Sequence, residues 1–417
     1  MGYEALDPFV RQHPWLENLV ESQSIELLKR NVRPLVRVLF KADIGLESIV
    51  TLLALWKIGA AACPISSKLP IHGQKDILRR LAPAFALDTP KQCVCNIPQN
   101  IPYFPLLLST SGSTGTPKIA AFSLKNLLIS AREAADYLKI TQEDTWYLSL
   151  PLYHVSGIGA LLRSLLSGAS FSFSLSESNF ISLVPTQLYR FFQQGTNLSK
   201  YKAVIVGGAP LSASLLKESL SKKLPLYTTW GMTETSSMVT LGLADETGHS
   251  GSILPSQQLK IDDTKEILVQ GETLFQGYLS EENTLLTARR SNGWFPTKDL
   301  GKFDSKKRLL WQGRKDLLFI SLGENIQPEE IEALLLQMQD VYQAIVVGVP
   351  HEECGTIPVA FIEQKFPIVK ETIHSVLREY VSPFKIPRYI FPLPANSAHK
   401  PSRADLKKHA VKLVNAL

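Results

Sequence analysis

At 417 residues the chain has room for two or three folding units, because domains average roughly 150 residues, and a single small module is excluded. Apolar residues make up 45% and charged residues 20%, which excludes a disordered or fibrous protein. The net charge of +6 comes from basic residues scattered among acidic ones, so we expect no nucleic-acid surface, although a locally positive cleft stays open.

Cysteine usage and hydropathy bear on the compartment. The four cysteines form neither a paired metal-binding pattern nor a dense disulfide framework, so we expect free thiols in a reducing environment. The first residues lack the charged and apolar regions of a secretory signal. Residues 49–56 are apolar but too few to span a membrane, and they are predicted to be a buried helix. We expect a cytoplasmic protein with no membrane span.

Strand and helix patterns alternate through the first half of the chain. Residues 45–66 predict a helix followed by a strand, and the run after Ser123 has apolar residues at helical spacing, with Ser123 able to cap the first turn. Residues 203–210 form a β-branched run that ends in glycines, with a helix predicted behind it. This alternation is typical of layered α/β structure.

The pattern changes after residue 260. Residues 260–312 contain short strands and turns that predict a small β-rich unit. A helix is then predicted to begin at Pro328, with two glutamates in its first turn. We predict an α/β fold with a large N-terminal domain at 1–313, made of layered α/β subdomains and a β-rich subdomain. A small, mobile α+β C-terminal domain is predicted at 314–417.

The segment LLLSTSGSTGTPKIAAFS, residues 106–123, combines two glycines, several hydroxyl groups and one lysine between two apolar runs. Glycine-rich turns expose backbone N–H groups, and hydroxyl and ammonium groups add further donors for phosphate oxygens. The alternative is a flexible surface loop. The spacing does not match a Walker A loop, and a strand rather than a helix is predicted to follow, so this is a different kind of phosphate loop.

Five segments in the same order resemble motifs of the adenylate-forming superfamily, which contains acyl-CoA synthetases, luciferases and peptide synthetase adenylation domains. They are STSGSTGTPK (109–118), TTWGMTE (228–234), GWFPTKDLG (293–301), GRKDLLFISLGENIQPEEIE (313–332) and NSAHKPSR (396–403). The resemblance covers nearly the whole chain. Each motif alone could be a turn or a solvated charge, but five in order are hard to obtain by accident.

The resemblance implies ATP, Mg²⁺ and CoA as ligands and assigns roles to individual residues. Thr233 would contact the α-phosphate, Glu234 would hold Mg²⁺, Lys118 would clamp the other phosphates, and Lys400 would place a cation between carboxylate and α-phosphate. The nucleotide-binding residues would be Thr110, Ser111, Gly112, Ser113, Thr114, Gly115, Gly208, Trp230, Gly231, Asp299 and Arg314.

The same resemblance implies two half-reactions, acyl-adenylate formation and transfer to a thiol. Asp316 would be the pivot about which the C-terminal domain rotates between them. Leu322 stands where the family usually has glycine, and its side chain could narrow the tunnel for the thiol. Adenylation is therefore the more secure expectation, and thioester formation the less secure one.

Several segments, including PLYHVSG (151–157) and SLVPTQLYR (182–190), resemble the subfamily that activates o-succinylbenzoate for menaquinone biosynthesis. This acid has a second carboxylate that needs a cation or strong donors, for which His154, Gln187 and Arg190 are the candidates. Two alternatives stay open: His154 is a packing or gating residue without proton chemistry, and Arg190 is an exposed charge on a helix. The alternatives are a fatty or aryl acid CoA ligase, a stand-alone enzyme that loads a carrier protein, and a non-catalytic nucleotide-binding relative. The oligomeric state also stays open, with a homo-oligomer as one alternative.

Overall fold

A computed structural model describes residues 3–69, 71–81, 85–87, 103–110, 118–322, 324–339, 341–352, 354–364, 370–394 and 402–416. Within these ranges the helices are α1 (Asp7–Val10), α2 (Pro14–Lys29), α3 (Leu46–Lys57), α4 (Ile71–Leu81), α5 (Leu124–Leu138), α6 (Val155–Leu166), α7 (Pro185–Gln193), α8 (Ala213–Ser221), α9 (Pro328–Leu335), α10 (Lys370–Arg378) and α11 (Arg403–Val414).

The strands of the N-terminal part in the same ranges are β1 (Arg37–Lys41), β2 (Ala61–Ile65), β3 (Phe85–Ala86), β4 (Leu106–Thr110), β5 (Lys118–Phe122), β6 (Thr145–Tyr147), β7 (Ser170–Ser172), β8 (Phe180–Leu183), β9 (Ala203–Val206), β10 (Leu226–Met232), β11 (Ser237–Leu243), β12 (Ser252–Ile253), β13 (Gln257–Ile261), β14 (Glu266–Gly271), β15 (Gly277–Leu279), β16 (Leu285–Leu286), β17 (Phe295–Phe303) and β18 (Leu309–Arg314). They are followed by β19 (Phe319–Ser321), β20 (Glu324–Ile326), β21 (Val341–His351), β22 (Gly355–Gln364) and β23 (Tyr389–Pro392).

Two seven-stranded sheets dominate the N-terminal part. The first has the order β16-β15-β5-β4-β2-β1-β3 and the second the order β12-β11-β10-β9-β8-β6-β7. In the second sheet the strands from β7 to β10 run parallel, and β10 to β12 are antiparallel. Helices α5 and α6 pack against each other and share one apolar core with both sheets. The predicted α/β class is confirmed.

Helix boundaries follow the local chemistry that the sequence predicts. The Ser123 hydroxyl accepts the backbone N–H of Asn126 at 3.2 Å, which caps α5. Helix α3 is the buried helix predicted at residues 49–56, and α9 begins at Pro328, where the missing N–H costs no hydrogen bond. Among the described helices, none is both long and apolar enough to cross a bilayer.

The predicted β-rich unit is only partly correct. Four antiparallel strands, β13-β14-β17-β18, form a separate small sheet. Strand β15, from the same stretch of sequence, instead pairs with β5 in the first large sheet, with Tyr278 opposite Ala120. Gly277, the first residue of β15, is needed for this arrangement, because a Cβ there would lie 2.5 Å from the carbonyl oxygen of Leu286 and its φ is +152°.

The C-terminal part is built on a three-stranded sheet with the order β21-β22-β23. Helices α9 and α10 cover one face, and α11 packs on the other face through Leu406 and Ala410. It contacts the N-terminal part where the rings of Tyr189 and Tyr342 lie 4.5 Å apart. Strand β18 ends at Arg314, and the domain boundary predicted there stays a prediction.

Candidate active site

The predicted phosphate loop connects two paired strands. Strands β4 and β5 are antiparallel, with Thr110 opposite Lys118. The strand predicted after the loop is confirmed. Five of the predicted phosphate-binding positions lie outside the described residues, namely Ser111, Gly112, Ser113, Thr114 and Gly115. Lys400 also lies outside them.

The TTWGMTE segment forms the end of β10 and a tight turn into β11. The turn, Thr233–Thr235, is closed by the Thr235 hydroxyl, which accepts the backbone N–H of Met232 at 3.0 Å. Gly231 is required at its position, since a Cβ would lie 1.8 Å from the carbonyl oxygen of Ser237. The turn thereby presents Thr233 and Glu234 at the end of the central strands of the second sheet.

Glu234 lies in a cluster that the sequence did not reveal. The residue is 8% exposed, and the Tyr278 hydroxyl donates a hydrogen bond to Oε1. Burial and the neighbouring Glu234 raise the pKa of Tyr278, so its hydroxyl stays protonated and can only donate to the carboxylate. The Lys118 ammonium lies 4.9 Å from the centroid of the same ring. Tyr278 therefore links Lys118 and Glu234.

One buried carboxylate suits the predicted Mg²⁺. Magnesium is usually held by one or two carboxylates together with substrate phosphates rather than by an all-protein cage. Among the described residues, no group of three or more His, Cys, Asp or Glu side chains is placed to hold a metal ion. Glu234, beside the predicted phosphate-binding lysine, fits a metal ion that binds together with the nucleotide.

Asp299 and Trp230, which come from two of the predicted nucleotide motifs, are in direct contact. The indole Nε1–H of Trp230 donates to Asp299 Oδ2 at 2.7 Å, and Arg314 donates to Asp299 Oδ1 at 3.0 Å. Burial raises the pKa of the Asp299 carboxyl, while Arg314 and Trp230 oppose that shift. Lys298 has φ +64°, the left-handed region that favours the glycine usual in this motif.

Arg314 joins this network to the predicted hinge. Its guanidinium makes two bonds to the Asp316 carboxylate, at 2.9 and 3.0 Å. Burial alone would lower the pKa of Arg314, but Asp316 and Asp299 raise it above the ordinary value. The Gln327 amide donates to the Arg314 carbonyl at 2.9 Å, which ties the start of α9 to the hinge.

The three candidates for acid binding have different surroundings. His154 is exposed just before α6, and its ring lies tilted against that of Tyr153, with the ring centroids 4.7 Å apart. Gln187 is engaged in the fold, since its Oε1 accepts from Val184 N at 3.0 Å and its amide donates to the Ser149 carbonyl at 3.2 Å. Arg190 is exposed in a cavity of about 360 Å³ lined also by Tyr342 and Glu363.

Two further predicted positions have clear backbone settings. Gly208 follows β9 with φ +76°, which favours glycine. Leu322 is 60% exposed with φ +50°, so its side chain points to solvent in a conformation that costs a non-glycine residue about 1 kcal/mol. The described cysteines Cys63 and Cys354 are free thiols, as expected, and burial raises the pKa of Cys63 to about 12.

Comparison with known proteins gives consistent matches. Residues 106–279 match the AMP-binding enzyme family, and residues 330–400 match the AMP-binding enzyme C-terminal domain. A 2-succinylbenzoate–CoA ligase from Oceanobacillus iheyensis is 33% identical over 332 residues, which cover 72% of this chain and 69% of that protein.

Solved structures match over more of the chain. A variant of Escherichia coli MenE with bound OSB-AMS superimposes with a TM-score of 0.86 at 27% identity, covering 95% of this chain and 92% of that one. Bacillus subtilis o-succinylbenzoate CoA synthetase (MenE), in complex with the acyl-adenylate intermediate OSB-AMP, gives 0.81 at 26% identity, covering 94% and 92%.

Proposed function

This chain belongs to the AMP-binding enzyme family and groups with its 2-succinylbenzoate–CoA ligases, and from this premise we propose the reaction it catalyses. It is an AMP-forming acid–thiol ligase. The acid is 2-succinylbenzoate, also called o-succinylbenzoate. One of its carboxylates attacks the α-phosphorus of ATP, pyrophosphate leaves, and the acyl-adenylate then passes its acyl group to CoA, releasing AMP. The product serves menaquinone biosynthesis in the cytoplasm.

The cluster of Lys118, Tyr278 and Glu234 is the observation that carries this proposal. Both partners of the first half-reaction are anions, so catalysis depends on charge neutralisation and alignment. Lys118 begins β5, just after the predicted phosphate-binding positions, and Tyr278 holds one oxygen of Glu234 so that the carboxylate keeps one orientation. When bound there, Mg²⁺ supplies positive charge to the phosphate oxygens.

Asp299 and Trp230 are proposed to hold the nucleoside, and Thr233 to contact the α-phosphate. The buried Asp299 carboxylate suits two ribose hydroxyls, and Arg314 balances its charge. The indole of Trp230, fixed by its bond to Asp299, presents an aromatic face for adenine. Gly208 and Gly231 allow the backbone to approach the nucleotide closely.

The second half-reaction is proposed to need rotation of residues 314–417 about Asp316. Lys400 would provide the cation for adenylation and then leave, which opens the site to the thiol of CoA. The two hydrogen bonds from the Arg314 guanidinium to the Asp316 carboxylate support this proposal. Because Arg314 also belongs to the nucleotide network, these bonds connect that network to the proposed pivot. Arg190, Gln187 and His154 remain the proposed acid-binding residues.

A product assay by mass spectrometry tests the function. Purified protein is incubated with Mg-ATP, CoA and a panel of acids that includes 2-succinylbenzoate, benzoate and a medium-chain fatty acid. Thioester formation selective for 2-succinylbenzoate is expected. Adenylate without thioester would indicate a carrier protein as acceptor, and reaction with another acid alone would refute the substrate. Lys400→Ala is expected to bind ATP but form no adenylate.

A further inference from the structure

Glu266, on strand β14, has a buried carboxylate that bonds two segments of the candidate site at once. The residue is 4% exposed. Its Oε1 accepts the backbone N–H of Lys298 at 3.0 Å, and its Oε2 accepts a hydrogen bond from the Lys315 ammonium at 3.1 Å. Lys298 directly precedes Asp299, and Lys315 directly precedes Asp316. One carboxylate therefore connects the predicted ribose-binding residue to the predicted pivot.

Lys315 is the cation that this carboxylate holds in place. Its ammonium also donates to Thr264 Oγ1 at 3.0 Å, so two neighbouring residues fix its position. Arg290 approaches the same oxygen, but at 3.6 Å its guanidinium is too far for a hydrogen bond, and it lies equally close to Asp262. The bond from Lys315 is charge-assisted, which makes it roughly twice as strong as a neutral one. Removing either partner is therefore expected to free the chain at Lys315.

The bond from Lys298 holds the backbone before Asp299 in an uncommon conformation. Lys298 has φ +64°, the left-handed region that residues other than glycine rarely occupy. Beside it, the Thr297 hydroxyl donates to the Ile267 carbonyl at 2.7 Å and accepts the Asp299 N–H at 3.0 Å. Together these bonds fix residues 297–299, here called the ribose segment, against β14.

The bond to Lys315 limits where the hinge can turn. A rotation about Asp316 changes the backbone dihedrals of that residue, and each residue has only two that rotate easily. With Lys315 bonded to β14, the chain before the pivot stays with the N-terminal part, and Arg314 keeps its 3.0 Å bond to Asp299. Without that anchor the same movement would be shared by residues before the pivot, and Arg314 would be drawn away from Asp299.

We propose that Glu266 is a positioning residue that holds the fixed side of the hinge to the ribose segment, so that the C-terminal domain rotates without displacing the nucleotide. This inference rests on the proposed function, which supplies the roles of Asp299 and Asp316. Oε1 sets the backbone that presents Asp299 to ATP, whereas Oε2, through Lys315, sets the place at which the rotation occurs. Loss of the first bond lowers the affinity for ATP, and loss of the second slows the passage from adenylate to thioester formation.

Two variants of Glu266 separate these tasks. Glu266→Gln keeps a carbonyl oxygen for the Lys298 N–H but removes the charge that holds Lys315. We expect single-turnover transfer to CoA, started from adenylate formed on the enzyme, to slow about 10-fold. The KM for ATP in ATP–pyrophosphate exchange should stay unchanged, because exchange does not require the rotation. Glu266→Ala removes both bonds and should in addition raise that KM about 10-fold.

Lys315→Met removes the same bond from the lysine side, which is 46% exposed, and keeps the test decisive if the Glu266 variants fail to fold. It should slow transfer as Glu266→Gln does, and combining the two changes should slow it no further. Lys202→Met is the matched control. The Lys202 ammonium bonds the fully buried Asp144 carboxylate, its side chain is 54% exposed, and neither residue belongs to the five motifs. Both half-reactions should stay unchanged in this variant.

Three outcomes would overturn the inference. Equal losses in exchange and transfer, with a lowered Tm, in both Glu266→Gln and Lys315→Met would make the pair purely structural. Transfer at the wild-type rate in both variants would remove the link to the hinge, and an unchanged KM for ATP in Glu266→Ala would remove the link to the ribose segment. A wild-type enzyme that forms no adenylate, or no CoA thioester, from 2-succinylbenzoate would instead refute the proposed function itself.

Discussion

Replacing Tyr278 with phenylalanine isolates the bond that orients Glu234. The variant keeps the ring over which Lys118 lies and removes only the hydroxyl that donates to Glu234 Oε1. Hydrogen bonds to charged groups contribute about 1.5–3 kcal/mol, which corresponds to a change of roughly 10- to 150-fold in an equilibrium constant. Because Glu234 is nearly fully buried, solvent cannot replace the lost donor without rearrangement.

We expect the Tyr278→Phe enzyme to need at least about 10-fold more Mg²⁺ for half-maximal ATP–pyrophosphate exchange. Calorimetric titration of Mg-ATP should show a loss of affinity of the same size. Tyr201→Phe is the control, since the Tyr201 hydroxyl donates to the neutral Leu175 carbonyl at 2.8 Å. The reasoning is refuted if Tyr278→Phe matches wild type in magnesium dependence, or if Tyr201→Phe shifts it equally.

Three further variants test other parts of the site and fold. Asp299→Asn should raise the KM for ATP about 10-fold or more, because the amide cannot serve both Arg314 and the ribose hydroxyls; an unchanged KM would contradict the assignment. Leu322→Gly should speed thioester formation, measured in single-turnover experiments with preformed adenylate, without changing the rate of adenylate formation. Equal rates of thioester formation in Leu322→Gly and wild type would show that the leucine side chain leaves the thiol path clear. Burial, and next the charge of Arg308, lower the pKa of His249, whose Nδ1 accepts a hydrogen bond from Gly251 N at 2.8 Å. Near pH 6.5, therefore, this histidine binds a proton in the unfolded chain but not in the folded one. The free energy of unfolding should therefore fall between pH 7.5 and 5.5 in urea titrations, and His249→Gln should flatten that dependence; identical slopes would exclude His249 as the source.

Local elements were largely predictable because their signals are local. The cap at Ser123, the proline start of α9 and the strand after the phosphate loop each depend on residues within one turn or one hairpin. The five motifs likewise predicted roles for Glu234 and Asp299 from position alone. Their spacing along the chain made the family recognisable without any knowledge of which strands are neighbours.

Two features of the structure escaped sequence reasoning for a common reason. Tyr278 lies in an unremarkable strand segment, and only the pairing of β15 with β5 places it between Lys118 and Glu234. Arg163 interrupts an apolar helical run, which could have marked it as unusual, but its burial against Trp146 depends on a helix packed on a distant strand. Neither contact produces a periodic pattern in the sequence from which it could be predicted.

By itself the sequence determined the α/β class, the strand that follows the glycine-rich segment and the chemical types present at the motifs, because propensity, capping and side-chain chemistry act over a few residues. The tertiary structure alone decided which of these groups meet. It joined Trp230, Asp299 and Arg314 into one network across two sheets, and it placed the buried guanidinium of Arg163 over the ring of Trp146. Long-range strand pairing and helix packing select these contacts, since they reflect how complementary surfaces fit and not the order of residues.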